Sequence, residues 1–423
     1  MHYSRKGFRN LLNKNINFPI TVIKFGGSSV ADADKIKNIA KIIKIKTEAR
    51  LKAVVIVSAM GRSTNKLIEL SKEMSEDPNA RELDVLLSTG ELVTSTLLSM
   101  HLNHLNIKTI SLNGIQAGIR TDDKYGRAKI ADIDTTRINR ELKNNDVVVV
   151  AGFQGFSDRN DVTTLGRGGS DTTAVAMAAA LKLKNCEIYT DVSGVYTADP
   201  RLCERAKPIE RIGYEEMLEL AITGAKVLHP RSIEVASFNN IDILVKNTFD
   251  PKAKGTIIQS ESKMENINKV RGIAHQEKIG KITIKGIPDK PGIASSVFKP
   301  LSKENIPVDT IVQNSSSNNL TDVTFTVTTE DYQKAKIVAG SMIKKIGASE
   351  VTGTDDIGSV SVIGTGMTST PGYAATMFEA LSKENINIEI ISTSEIRITC
   401  VIKKIRVNDA VNALHNAFKL DIE

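Results

Sequence analysis

From Thr21 to about residue 260, short apolar runs alternate with segments of helical period. The runs at 22–25, 53–57, 109–112, 147–151, 187–190 and 241–245 predict strands, and helices are expected from Asp32, Leu83 and Asp171. Val147-Val-Val-Val150 is apolar at every position rather than at alternate ones, which marks a strand covered on both faces. Such alternation predicts an α/β domain with a mostly parallel sheet between helical layers.

The last third follows a different pattern, because it repeats. Leu301-Ser-Lys-Glu-Asn-Ile306 returns about 80 residues later as Leu381-Ser-Lys-Glu-Asn-Ile386. At the same offset Pro291-Gly292 matches Pro371-Gly372, Ala294 matches Ala374 and Phe298 matches Phe378. Each copy reads strand, Pro-Gly turn, helix, strand, strand, helix, which in the first copy falls at 281–285, 291–304, 308–313, 322–327 and 331–346. That βαββα(β), ferredoxin-like order predicts a small antiparallel sheet with helices on one side. The second copy has no clear closing strand, so completion of its sheet by another copy of the chain is expected. The resulting division is a basic tail at 1–20, an α/β domain at 21–260, a polar linker at 261–270, and modules at 271–350 and 351–423.

With 423 residues the chain is long enough for several domains. Its 56 Lys+Arg against 49 Asp+Glu give +7, spread along the chain without basic blocks or interleaved aromatics. This argues against a nucleic-acid partner and suits a small anionic substrate. Cys186, Cys203 and Cys400 have no metal or redox spacing, which fits a reducing, cytoplasmic setting. No apolar stretch reaches the length of a membrane span, so no membrane partner is expected. Arg5, Lys6, Arg9 and Lys14, with no acidic neighbour, read as a solvated basic tail; a targeting leader and a misassigned start are the alternatives.

Two glycine-rich segments bring in chemistry: Thr21-Val-Ile-Lys-Phe-Gly-Gly-Ser-Ser29 and Thr163-Thr-Leu-Gly-Arg-Gly-Gly-Ser-Asp-Thr-Thr173. Each sits between a strand and a helix, where Gly26, Gly27, Gly168 and Gly169 can turn backbone N–H groups toward a phosphate beside a helix N-terminus. Lys24 adds a fixed cation, and Arg167 a planar fork for a carboxylate or phosphate. Ser58 to Thr64 forms a further glycine-containing loop after a strand. Ser88-Thr-Gly-Glu91 is read as opening a helix, with Glu91 either pairing with a substrate ammonium or only serving the helix dipole. The run from Tyr189 to Arg201 either holds a nucleotide or forms a turn-rich loop. P-loop, dinucleotide and protein-kinase signatures are missing. His101 and His104 share a helix face without a third ligand and read as solvated; His229 reads as structural.

Taken in order, Lys-Phe-Gly-Gly-Ser-Ser-Val, Val-Ser-Ala-Met-Gly, Ser-Thr-Gly-Glu, Phe-Gln-Gly, Thr-Leu-Gly-Arg-Gly-Gly-Ser-Asp, Thr-Asp-Val-Ser-Gly-Val-Tyr-Thr-Ala-Asp-Pro-Arg and Gly-Ala-Lys-Val-Leu-His-Pro-Arg resemble the aspartate kinases. The paired repeats resemble their ACT modules, and the resemblance spans about residues 21 to 420. It implies an amino-acid-kinase αβα sandwich, ATP as donor, and the β-carboxylate of L-aspartate as acceptor. The reaction opens lysine, threonine, methionine and diaminopimelate biosynthesis. Lys24, Phe25, Gly26, Gly27, Thr190, Asp191, Tyr196, Asp199, Arg201, Lys226 and Val227 then fall on the ATP side. Ser58, Thr64, Glu91, Arg167, Gly168, Gly169 and Ser170 fall on the aspartate side. Asp171 would organise the reacting groups, with Lys24 and Lys226 neutralising charge and Mg²⁺ carried on the ATP phosphates rather than in a protein metal site.

The resemblance also implies feedback by lysine, threonine or both, at sites lined by Asp289, Gln313, Asn314, Asn385 and Asn387. As plain residues these are equally turn formers. Thr368 and Thr370 stand where relatives often carry a basic residue and a histidine, which leaves the effector's identity open. Assembly is expected as a homo-oligomer through the ACT modules, or with a subunit made of the C-terminal half. Nothing resembling a homoserine dehydrogenase follows Glu423, so the chain reads as monofunctional. A glutamate or acetylglutamate kinase is the nearest alternative, and the repeats and Ser88–Glu91 argue against it. A catalytically silent ACT-type sensor is the other, against which the four charges of Lys24, Arg167, Asp171 and Lys226 argue.

Overall fold

Near-continuous apolar strands need cover on both faces, and the computed structural model supplies it. It describes residues 19–250, 252–260, 270–315, 319–367 and 371–422. The expectations for the basic tail up to residue 18, for most of the linker, and for Thr368 and Thr370 lie outside the described residues. Contacts divide the chain into two units. One runs up to Val195 and adds Pro208–Ala221 and the residues from Lys226 to the linker; the other joins Tyr196–Lys207 and Ile222–Ala225 to the chain after the linker.

In the first unit an eight-stranded sheet runs Arg211–Gly213, Thr256–Gln259, Asp242–Asn247, Asn185–Thr190, Ile20–Phe25, Lys52–Val57, Val147–Ala151, Thr109–Leu112. All neighbours are parallel except Thr256–Gln259 against Asp242–Asn247. Helix Ala33–Glu48 begins where expected, with the Asp32 side chain accepting from Lys35 N at 2.9 Å. Its Ile36, Ile39, Ala40 and Ile43 pack on Ile23, Phe25, Val55 and Val57 of the sheet. A smaller sheet, Ile130–Ile133, Ile119–Thr121, Gln154–Phe156, Val162–Thr164, lies in the same unit. Residues Ser88–Glu91 do not open a helix. They lie inside a 25-residue helix, Ala80–His104, which starts where Asn79 Oδ1 accepts from Arg81 N and Glu82 N.

The second unit is a six-stranded antiparallel sheet in the order Ile311–Ser315, Leu320–Thr328, Val270–Pro288, Glu350–Gly364, Arg397–Lys403, Ile388–Ser394. The second repeat is closed by its own chain, contrary to expectation. The long strand Val270–Pro288 pairs its first part with the second repeat, from Val270 with Gly364 to Gln276 with Ser359. Its last part pairs on one side with the first repeat, Lys281 with Thr326, and on the other with the start of strand Glu350–Gly364, Lys281 with Thr354. The closing strand was missed because it precedes the repeated register.

Each repeat has its own core: Ile282, Val297, Leu301 and Phe325 in the first, and Val360, Met377, Leu381, Cys400 and Leu414 in the second. Both helices after the Pro-Gly turns begin at a left-handed glycine, Gly292 (φ 89°) and Gly372 (φ 112°), and end near a left-handed asparagine, Asn305 and Asn385. The sequence repeat is thus a repeat of backbone conformation. Tyr196–Lys207 belongs with the second repeat because Ala198 and Cys203 are buried in its core. Thr197 Oγ1 lies 2.9 Å from His415 Nε2, and Thr197 O accepts from Ile273 N at 2.8 Å.

Candidate active site

In open parallel sheets ligands collect beyond the carboxyl ends of the strands. There a cavity of about 210 Å³ gathers Lys24, Gly27, Ser58, Thr64, Glu91, Arg167, Gly168, Gly169, Ser170 and Asp171 with Ala59, Gly61, Phe153 and Gly166. Every residue assigned to the aspartate side lines it, as do Lys24 and Asp171.

Lys24 is the penultimate residue of the strand Ile20–Phe25 and is only 8% exposed, and Asp171, in the first turn of helix Gly169–Ala180, only 9%. Their side chains form an ion pair. The glycines have steric reasons to be glycine. A Cβ on Gly27 would approach Ala59 O to 3.1 Å, and one on Gly168, at φ 67°, would overlap His229 Cβ at 2.1 Å. The two loops before the cavity are tied together by Gly61 N donating to Gly27 O at 3.0 Å.

Glu91 is 3% exposed. Its Oε1 accepts from Ala59 N at 3.1 Å, and its Oε2 is buried with no hydrogen-bond partner among the described residues. Burial pushes this carboxyl up to about 8, against the opposing effect of the Ala59 N–H. Gly90 explains the closeness: a Cβ there would come 2.9 Å from Ala59 Cβ, so the helix can lie against that loop only with glycine. Mid-helix, Glu91 has no part in a helix-start dipole, and its structural contact is instead the bond from Ala59 N.

The ATP-side residues are more dispersed. Phe25 is fully buried, its ring 5.0 Å from that of Tyr189, and its carbonyl accepts from Ser58 N, so its side chain serves the core rather than the crevice. Gly26 N donates to Tyr189 O at 3.1 Å. Thr190 and Asp191 follow on the neighbouring strand, with Thr190 Oγ1 donating to Asp191 Oδ1 at 3.1 Å. Lys226 is exposed and, with Val227, belongs to the first unit. Tyr196, Asp199 and Arg201 belong to the second unit, where Asp199 takes both Arg201 Nε, at 3.0 Å, and Arg201 Nη2, at 2.6 Å.

Asp289, Gln313, Asn314, Asn385 and Asn387 are all exposed. Gln313 and Asn314 are on edge strand Ile311–Ser315, and Asn385 and Asn387 lead into the opposite edge strand Ile388–Ser394. Five inter-strand steps of about 4.8 Å put the two edges about 24 Å apart, so one chain does not bring both groups to a single small-molecule site.

Two residues that matter here were not read from the sequence, Asp84 and Arg231. The signal for Asp84 was its place on a buried helical stripe with Ser88, Glu91 and Ser95. Cys186, Cys203 and Cys400 are free and buried. Among the described residues no helix is long and apolar enough to cross a membrane, and no group of three His, Cys, Asp or Glu side chains is placed to hold a metal ion.

The profile of the amino acid kinase family matches residues 19–247, and that of the ACT domain matches residues 282–339 and 360–418. Aspartate kinase of Pseudomonas putida is 48% identical over 404 residues, covering 95% of this chain and 98% of the relative. E. coli aspartokinase III solved with aspartate and ADP (R-state) superposes with a TM-score of 0.79 at 26% identity, over 95% of this chain and 100% of that one. The same enzyme solved with lysine and aspartate (T-state) gives 0.74 at 26%, over 94% and 99%. By family profile, by identity over nearly its whole length and by fold, the chain belongs to the amino acid kinase family, among the aspartate kinases with paired ACT domains.

Proposed function

We propose that the chain transfers the γ-phosphoryl group of ATP to the β-carboxylate of L-aspartate, giving 4-phospho-L-aspartate and ADP, the entry to lysine, threonine, methionine and diaminopimelate synthesis. The observation that carries this reading is one small cavity lined by a buried, half-unpartnered carboxylate, a guanidinium and an ammonium. Aspartate is their complement: its ammonium for Glu91, its α-carboxylate for Arg167, and its β-carboxylate toward Lys24. The Pγ–O bond to ADP breaks as a β-carboxylate oxygen bonds to Pγ, and no covalent enzyme group is required. Lys24, held by Asp171, stabilises charge on the transferred group, and the N-terminal amides of helix Gly169–Ala180 add to it. Mg²⁺ borne by the ATP oxygens would supply further neutralisation.

Acetylglutamate has no ammonium and would leave Glu91 Oε2 buried without a partner, and a silent sensor has no use for the Lys24–Asp171 pair. ADP release measured in parallel with aspartate, glutamate and acetylglutamate tests the reading. Turnover with aspartate alone supports it, and preference for either other acid refutes it.

Arg167→Lys is expected to raise the aspartate KM by about tenfold or more with the ATP KM little changed, because a point charge does not replace a bidentate clamp. Initial rates varied in each substrate check this; a change confined to ATP would exchange the two sides of the site.

Lysine or threonine control would act through the repeats. An effector shifts activity only by its difference in affinity between active and inactive arrangements. With the two candidate groups on opposite sheet edges, the effector site is assigned to the first repeat, around Asp289, facing the second repeat of a partner copy. Asp289→Ala should relieve inhibition and leave the uninhibited kcat unchanged in a lysine and threonine titration. Full inhibition of the variant would remove Asp289 from the effector site.

A further inference from the structure

Arg167, itself exposed, sits between two left-handed glycines, Gly166 (φ 77°) and Gly168 (φ 67°), on the short stretch joining strand Val162–Thr164 to helix Gly169–Ala180. Such a backbone is adaptable by composition, yet a carboxylate clamp must be held to a fraction of an ångström. Two side chains of opposite charge, neither of them lining the cavity, do the holding. Asp84 is 1% exposed and turns both carboxylate oxygens to this stretch and to one neighbouring turn. It accepts from Thr164 N at 2.8 Å, Thr164 Oγ1 at 2.6 Å and Gly126 N at 2.9 and 3.0 Å. Arg231 spans the same two segments from the other side, with Nη1 donating to Leu165 O at 2.5 Å and Nη2 to Ala128 O at 2.9 Å. The segment that carries Arg231 also sets its His229 against Gly168, on the far side of Arg167.

Charge-assisted bonds of this kind are about twice as strong as neutral ones. Here they end on backbone groups two and three residues before Arg167. We infer that Asp84 and Arg231 are positioning residues that fix the Arg167 loop against the 126–128 turn, and so set the affinity for the amino-acid substrate. The inference rests on the reading of Arg167 as the aspartate clamp. Asparagine at 84 would present an amide donor to donors, and lysine at 231 would reach one carbonyl where the guanidinium reaches two.

Initial-rate kinetics on the full chain test it, with Asp84→Asn, Arg231→Lys and Thr164→Val measured beside Arg167→Lys. Thr164→Val deletes a single hydroxyl at constant shape and reads the same contact if the buried charge change unfolds the protein. The expected result is an aspartate KM raised by about fivefold or more in Asp84→Asn and Arg231→Lys, and by about two- to threefold in Thr164→Val, with the ATP KM within about twofold of wild type. An unchanged aspartate KM in these variants while Arg167→Lys raises it overturns the clamp. So does a parallel rise of both KM values, which is the signature of general loosening. An aspartate KM indifferent to Arg167→Lys itself overturns the substrate reading, and the clamp with it.

Discussion

Lys24→Ala is expected to lower kcat by about two to four orders of magnitude in a protein that still folds. The ammonium is carried near the end of a strand in which Val22, Ile23 and Phe25 are fully buried, is 8% exposed, and is held by Asp171, so it is oriented before any substrate arrives. Groups fixed in this way act mainly on charge that develops in the transition state, and their loss falls on kcat more than on KM. The substitution also leaves the Asp171 carboxylate buried without its partner, a destabilising change of about 3–5 kcal/mol when nothing compensates. The amides of helix Gly169–Ala180 offset part of that, because Asp171 lies in the helix's first turn. Melting curves beside the kinetics separate the two effects. Near-normal kcat in a folded variant would remove Lys24 from the mechanism.

Aspartate affinity is expected to depend steeply on pH through Glu91. In the substrate-free protein burial holds this carboxyl at about 8, so at pH 7 it is largely protonated, whereas an ammonium partner requires it ionised. Binding then releases a proton, and the apparent Kd scales inversely with the ionised fraction. From pH 6 to pH 8 that fraction rises from about one in a hundred to one half, which tightens binding by up to about fiftyfold. Stability runs the opposite way. A raised folded value favours the native state fully below the unfolded value of 4.5, and that contribution is lost as pH rises toward 8. Glu91→Gln should flatten both slopes and weaken aspartate binding while sparing ATP. Calorimetric titrations in buffers of different ionisation heat count the released proton directly. A pH-independent Kd with no proton release would show that Glu91 does not receive the ammonium.

What the sequence made legible was local. The Gly26-Gly27 and Gly168-Gly169 pairs, with Lys24 and Arg167 at fixed offsets, are set by backbone requirements that act within a few residues, and all but Gly26 line one cavity. The repeat was legible because two copies share left-handed positions as well as core residues. What was missed depended on distance along the chain. Ser88-Thr-Gly90 resembles a helix start because its residues are poor helix formers. The reason for the glycine, contact with Ala59, lies about 30 residues away. The closing strand of the second repeat pairs Val270 with Gly364, and no local pattern records such a partner. Tyr196–Lys207 reads as kinase-domain loop, yet Ala198 and Cys203 are core residues of the second repeat. Asp84 was not singled out because its three donors, Gly126 N, Thr164 N and Thr164 Oγ1, lie about 40 and 80 residues away along the chain.

The central claim is that the cavity around Lys24, Glu91 and Arg167 phosphorylates a free α-amino acid on its side-chain carboxylate. Hydroxylamine trapping during ATP turnover tests this most directly, because an acyl phosphate is converted to a hydroxamate and simple ATP hydrolysis gives none. The account predicts aspartate β-hydroxamate formed in step with ADP, and none when N-acetylaspartate, which lacks the ammonium, replaces aspartate. ADP release without hydroxamate, or equal trapping from the acetylated substrate, would contradict it.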